Sequence, residues 1–321
     1  MNNETSITAT AERVVRLSTK KPLSARLWEQ RYLLMMSVPI IIWLLVFAYV
    51  PLAGWAIAFF NFRPGISLLD SDFVGIRNFR LMFMDPAFFQ AIRNTLIFSV
   101  LGLITGFTSA IGFALLLNEL RSMKIKRVVQ TVSYLPHFVS WVVVAGMVLQ
   151  VLTLDGVINQ FLMFIRVIDE PVNWMAQPQY FYAIVTLANL WKGLGWSTII
   201  YLSAMAGVDQ ELYEAAAADG AGRLRRIWHV TLPGIAPTII ILLVMSFGGL
   251  LHTGFEDKML LRNPFNAHLA EVLSLYTLRL GIQAGRFGFG TAVSMFTSMI
   301  SLTLVLIANA TSRKFTDSGL F

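Results

Sequence analysis

The chain has 321 residues, of which 56% are hydrophobic and only 13% charged, and its mean hydropathy is positive; that is more apolar surface than a water-soluble fold of this size buries. The formal net charge is +7 and there is no cysteine, which excludes disulfides and thiolate metal sites. Open sheet edges are not tolerated in hydrocarbon and no ten-residue alternation recurs, so the predicted fold class is an all-α membrane protein with six transmembrane helices.

In chain order, residues 1–31 form a polar tail with Arg13, Arg16, Lys20, Lys21, Arg26 and Arg31, expected to be disordered or interfacial. No small-residue cleavage site follows the first apolar stretch, so tail and helix are both expected to be retained. Spans of roughly 20 or more apolar residues are predicted at 32–60, 92–118, 134–154, 181–206, 235–254 and 289–310. The loops between them at 61–91, 155–179, with an amphipathic run at 157–168, and 252–288 are expected at the outer interface. Of the 25 Lys and Arg, 15 fall on the side of the two tails and 9 on the opposite side. Positive charge marks the cytoplasmic face, so both termini, including the tail at 311–321, are predicted to be cytoplasmic. The net charge is thus a topology signal, and no nucleic-acid partner is inferred from it.

One polar island, the loop 208–234, interrupts this pattern with EAAAADGAGRLRRIWHVTLPG. Residues 211–218 are good helix formers, Gly220 and Gly222 permit a turn, 224–231 is predicted as a second short helix, and Pro233 opens the next span. Two short helices joined at a glycine make a rigid knob in water, a docking surface for another protein.

Inside the spans, polar groups are costly unless they face protein or water, so they are the candidates for a solute path. Lys192 is the one charge near the middle of a predicted span, and Asn189, Lys192 and Trp196 share a helix face at i, i+3 and i+7. Tyr134, His137 and Trp141 are predicted to share a face around Pro136. Indoles, a phenol and an amide suit a sugar, whose C–H face stacks on aromatic rings while its hydroxyls need paired donors and acceptors. Tyr134 also fits an interfacial aromatic belt, and His137 a packing role. Lys192 either pairs with an acid of a partner subunit or offers its charge to the cargo. Gly102, Gly106 and Ala110, and Thr291, Ser294, Ser298 and Ser301, are small residues at three-to-four spacing, expected at close helix contacts within the chain or across a dimer.

The string Glu214, Ala215, Ala216, then Asp219, Gly220, and finally Val230, Thr231, Leu232 and Pro233 resembles the EAA signature of inner-membrane permease subunits of binding-protein-dependent ABC importers, with Val230 where the pattern has Ile. NELRSMKIKRVVQTVSYLPHFVSWVVVAG and LIANATSRKFTDSGLF extend the resemblance to the polysaccharide-type sugar permeases. It implies a type I importer architecture, with the helix at 32–60 peripheral, a periplasmic loop at 61–91 and a transmembrane domain at 92–310. It also implies that the loop sits in a cleft of an ATPase subunit, with Glu214 pairing a basic group, Ala215 and Ala216 allowing close approach and Gly220 forming the bend. Arg223, Arg225 and Arg226 either meet acidic groups there or only mark the cytoplasmic side.

Partners implied by the resemblance are a second homologous permease subunit, two ABC ATPase subunits, an extracytoplasmic solute-binding protein and an oligo- or polysaccharide, in a bacterial inner membrane. No cofactor is expected in this chain: it has no GxxxxGK[ST] loop, so ATP and Mg would be bound by the ATPases. Similar permeases often carry an acidic residue after the WK pair, where this chain has Gly193. That departure suggests an anionic cargo, such as a uronate oligosaccharide of the alginate type. No catalytic or metal-binding set is found. An ion-coupled secondary carrier for a polar solute would instead need intramembrane carboxylates, and the predicted spans contain none, with Glu256 and Asp257 just past the fifth.

Overall fold

The computed structural model describes residues 28–316; what was expected of 1–27 and 317–321, within the two tails, lies outside the described residues. Among these residues the fold is helical, with one isolated antiparallel bridge between Phe60 and Phe73. The chain divides into two compact units, Met1–Ala56 and Ile57–Phe321. In the first, helix α1 (Arg31–Leu44) continues through a wide turn at Leu45–Tyr49. Pro51 follows two residues later. A proline has no N–H to donate, and its ring crowds the carbonyl four residues back; an i→i+5 turn relieves both.

The second unit is built on α3 (Pro86–Asn118), which follows the short α2 (Arg77–Met84). Asp85 starts α3 sharply: its carboxylate accepts from the Ala87 N–H at 2.9 Å, and Pro86 occupies the first turn, where a missing N–H costs nothing. Tyr276 donates to the other oxygen of Asp85 at 2.6 Å, tying the start of α3 to a segment far along the chain.

Three apolar clusters lie along α3. Phe88 packs with Met82, Tyr276, Phe289 and Val293; Phe98 with Phe181, Val185, Val272 and Leu275; Ala110 and Ala114 with Tyr201, Met205 and Ile235. Their partners come from α2, from α7 (Phe181–Ala206), α9 (Arg223–Gly249) and α13 (Phe287–Thr316), and from the segment 252–288.

Arg31–Phe59, Pro86–Asn118, Arg223–Gly249 and Phe287–Lys314 are long and apolar enough to cross a membrane. A fifth crossing requires the bent pair Met123–Phe138 and Trp141–Val151 to count as one. Helix α7, with 26 residues, has the length for a sixth, but Asn189 and Lys192 lower its apolarity.

Three features of the bundle go beyond the sequence pattern. The predicted span at 134–154 is not one continuous helix: α4 (Met123–Tyr134) ends in a tight turn at Leu135–Phe138, and α5 (Trp141–Val151) leaves at 102° to it. Pro136 cannot sustain the helical ladder, and Ser140 caps the new start by accepting from the Val143 N–H.

The segment 252–288 packs into the bundle, through α10 (Glu256–Leu261), α11 (Ala267–Ala270) and α12 (Leu273–Thr277). Leu261, Val272, Leu273 and Tyr276 are fully buried. The non-helical backbone this requires is satisfied by α3: Asn94 donates to the carbonyls of His268 and Glu271, and Thr95 accepts from the Leu273 N–H. Burial pushes the Glu271 carboxyl above its ordinary range, against the lowering pull of Arg279, 3.0 Å away, and of Arg262.

Finally, Gly102 and Gly106 make no close helix contact within the chain, since a Cβ at either would meet open space. The tight crossings are elsewhere. Gly195 lies where a Cβ would strike the Ser133 carbonyl, and Gly281 and Gly290 face each other too closely for any side chain.

Candidate functional site

The polar island begins at Asp209, which caps α8 (Gln210–Ala218) by accepting from the Glu211 N–H. Gly220 closes the helix at φ +74°, a left-handed conformation that favours glycine, and bonds from Gly220 and Ala221 back to Ala217 and Ala216 complete the turn. Glu214, Ala215, Asp219, Gly220 and Pro233 are exposed, and Ala216 and Leu232 half-buried. So are the apolar side chains of Leu212, Leu224 and Trp228 exposed, an expensive arrangement for a free surface.

The expected second short helix at 224–231 is not separate. Arg223 to Gly249 is one helix, widened at Ile227–Thr231 and continuous through Pro233. The wide turn again precedes a proline by two residues, which is why Pro233 does not break it. Tyr213 donates to Thr231 at 3.0 Å, bracing α8 on α9, and a Cβ at Gly234 would strike Val208. Arg223 lies 3.9 Å from Glu119 at the end of α3, both partly exposed, an ion pair of little energetic weight. Arg225 and Arg226 carry no ion pair among the described residues.

The break in the third span is held by Lys192. Its ammonium donates to the carbonyls of His137 at 2.6 Å, Val139 at 2.7 Å and Pro136 at 3.4 Å, and sits 5.8 Å from the Trp141 ring centre. The Pro136 carbonyl also accepts from the Val139 N–H, but those of His137 and Val139, where the helical ladder is interrupted, take their donor from this lysine. His137 stacks flat on Trp196, ring centres 4.5 Å apart. Tyr134, His137 and Trp141, expected on one face of one helix, thus occupy the end of α4, the break and the start of α5.

A cavity of about 680 Å³ opens between α3, α7 and α9, a size suited to a small polar molecule. Of the residues predicted for the path, Asn189 and Trp196 line it; Lys192, His137, Tyr134 and Trp141 do not. Gly102 and Gly106 form its floor on α3, and Leu242, Met245, Ser246 and Gly249 its wall on α9.

Sequence reasoning missed the charged group that reaches this cavity. Lys258 on α10 lines it, 2.9 Å from Asp257, and the side chains of both are more than nine-tenths buried. Asp257 also accepts from Asn189 Nδ2 at 2.6 Å, and Lys258 lies 5.0 Å from the Phe98 ring centre. Two hydroxyls of the lining, on Thr186 and Thr253, are buried without a hydrogen-bond partner among the described residues. The available signal was the Glu-Asp-Lys run at 256–258, charged residues inside an otherwise apolar stretch. Among the described residues no cluster of His, Asp or Glu is placed to hold a metal ion.

Residues 99–316 match the family described as binding-protein-dependent transport system inner membrane component. The chain is 41% identical over 303 residues to the polygalacturonan/rhamnogalacturonan transport system permease protein YteP of Bacillus subtilis, covering 94% of each. It is similar to a solved bacterial ABC transporter involved in the import of the acidic polysaccharide alginate, with a TM-score of 0.81 and 39% identity over 92% of this chain and 99% of that one. A bacterial alginate ABC transporter solved in complex with an alginate pentasaccharide-bound periplasmic protein matches with a TM-score of 0.82, 39% identity, and coverage of 93% and 99%.

Proposed function

This chain belongs to the binding-protein-dependent transport system inner membrane component family, and from that premise we propose that it carries an acidic oligosaccharide inward, driven through the island 208–234 by separate ATPase subunits. It is a permease subunit of an ABC sugar importer, a membrane component and not itself an enzyme. The uronate-rich cargoes named for its relatives support the acidic class.

The observation that carries the coupling is the continuity of α9. Its first turns belong to the exposed island, and its far end, from Leu242 to Gly249, is cavity wall. A helix transmits displacement along its axis, so a partner that moves Leu224, or moves Glu214 on the α8 that Tyr213 braces against α9, shifts the wall of the cavity. In this reading Glu214, Ala215, Ala216, Asp219 and Gly220 present the docking face, while Leu232 and Pro233 lie on the lever. ATP-driven closure of the ATPases turns the cavity outward and its reversal turns it inward, a rigid-body alternation. A second permease subunit completes the path, and a periplasmic binding protein delivers the cargo. The island and both termini face the cytoplasm, as the distribution of Lys and Arg supports.

The test is a charge reversal at an exposed position. Glu214→Arg, in vesicles holding the complete transporter, is expected to abolish ATP-driven uptake of oligogalacturonate or oligoalginate and to release the ATPase on purification, while leaving the thermal stability of the permease unchanged. Uptake and attachment equal to wild type would refute the coupling role; failure of the wild type to take up either oligosaccharide would refute the acidic cargo.

A further inference from the structure

We infer that Lys258 is the carboxylate-reading residue of the cavity, with Asp257 as its built-in competitor; this rests on the proposed acidic cargo and adds the group that would select it. Lys192, the charge nearest the middle of α7, is spent on three backbone carbonyls and lies outside the cavity lining. Lys258 is the one cationic side chain that lines the cavity among the described residues.

The surroundings have the chemistry of a sugar site. Thr186 and Thr253 each hold a buried hydroxyl with no partner among the described residues, and a buried hydroxyl without a partner is costly. Sugar hydroxyls would supply donors and acceptors to both. Trp196, stacked on His137 by one face, is half-exposed and brings an apolar indole to the lining for the C–H side of a pyranose ring.

The ammonium has three N–H donors: one reaches Asp257 and one side of the group lies against the Phe98 ring. Further donor capacity remains for a carboxylate arriving from the cavity. An unpaired ammonium in so buried a position would hold a polyanion too tightly to release it, whereas conduction needs sites weak enough to leave. Asp257 solves this by competing for the same ammonium. Asn189, donating to Asp257 at 2.6 Å, keeps that carboxylate satisfied when the lysine turns to cargo. The uronate is thus read by exchange between two carboxylates, each step replacing one charge-assisted bond by another.

The experiment uses the complete transporter in nanodiscs, titrated with a galacturonate trisaccharide and with its fully methyl-esterified, neutral form. The variant is Asp257→Asn with Lys258→Gln, which removes both charges at nearly constant shape and so leaves no buried ion unpaired. Wild type is expected to prefer the acid by about tenfold, the worth of one charge-assisted hydrogen bond. The double variant should lose the preference, binding the acid no more tightly than the ester. A preference retained in the double variant, or equal loss of both ligands, overturns the assignment. Absence of any uptake of the acid by wild-type vesicles would overturn the acidic cargo itself, a separate result.

Discussion

Lys192 shows how one side chain decides a backbone. The carbonyls of Pro136, His137 and Val139 converge on its ammonium, and a methionine of similar length would take away the donor of the last two, while Pro136 keeps the Val139 N–H. A buried acceptor stripped of its partner costs on the order of 1–3 kcal/mol, so Lys192→Met is expected to lower the thermal unfolding midpoint measurably, and Lys192→Arg to restore part of it. Uptake of acidic and neutral oligosaccharides should fall together in Lys192→Met, because the group does not face the cavity. Loss confined to the acid would return Lys192 to the solute path. The sequence makes Lys192 conspicuous as a lone charge in an apolar stretch, but its partners are backbone oxygens some fifty residues earlier, and no pattern of side chains reports them. Lys258 is the opposite case, hidden in the sequence by its place in a loop and exposed to the cavity only because that loop folds inward.

At the scale of elements, the helices are legible and their interruptions are not. Capping residues, helix formers and apolar length mark α3, α7, α8 and α13, since each rests on neighbours in the chain. The break at Pro136 and the passage through Pro233 look alike in sequence, yet one proline ends a helix with a 102° bend and the other lies within one. What separates them is tertiary: Lys192 receives the carbonyls of the first, and a wide turn accommodates the second. Close approach is equally a matter of context. Gly102 and Gly106 match the small-residue pattern and face open space, whereas Gly195 sits against the Ser133 carbonyl. Gly195→Ala is therefore expected to force α7 away from α4 and to destabilise by roughly 1–3 kcal/mol or more, the usual range for overpacking. Gly102→Ala should be tolerated in a thermal unfolding measurement; equal effects of the two would refute this packing.

For the whole molecule, alternating access requires that the wall formed by α9 change its exposure with the nucleotide state of the partner. The chain has no cysteine, so Ser246→Cys places a single thiol on that wall. Its labelling by a polar maleimide in the complete transporter is expected to differ several-fold between nucleotide-free and ATP-trapped states, and an unchanged rate would refute the lever. Composition and patterning by themselves determined that this protein is helical and lives in lipid, and the island 208–234 its family, because hydropathy and helix propensity are local sums over neighbouring residues. Only the tertiary structure decided where the third span breaks, that the segment 252–288 enters the bundle, and which lysine meets the cavity. Those outcomes depend on hydrogen bonds and ion pairs between residues distant in the chain, whose geometry no local sum contains.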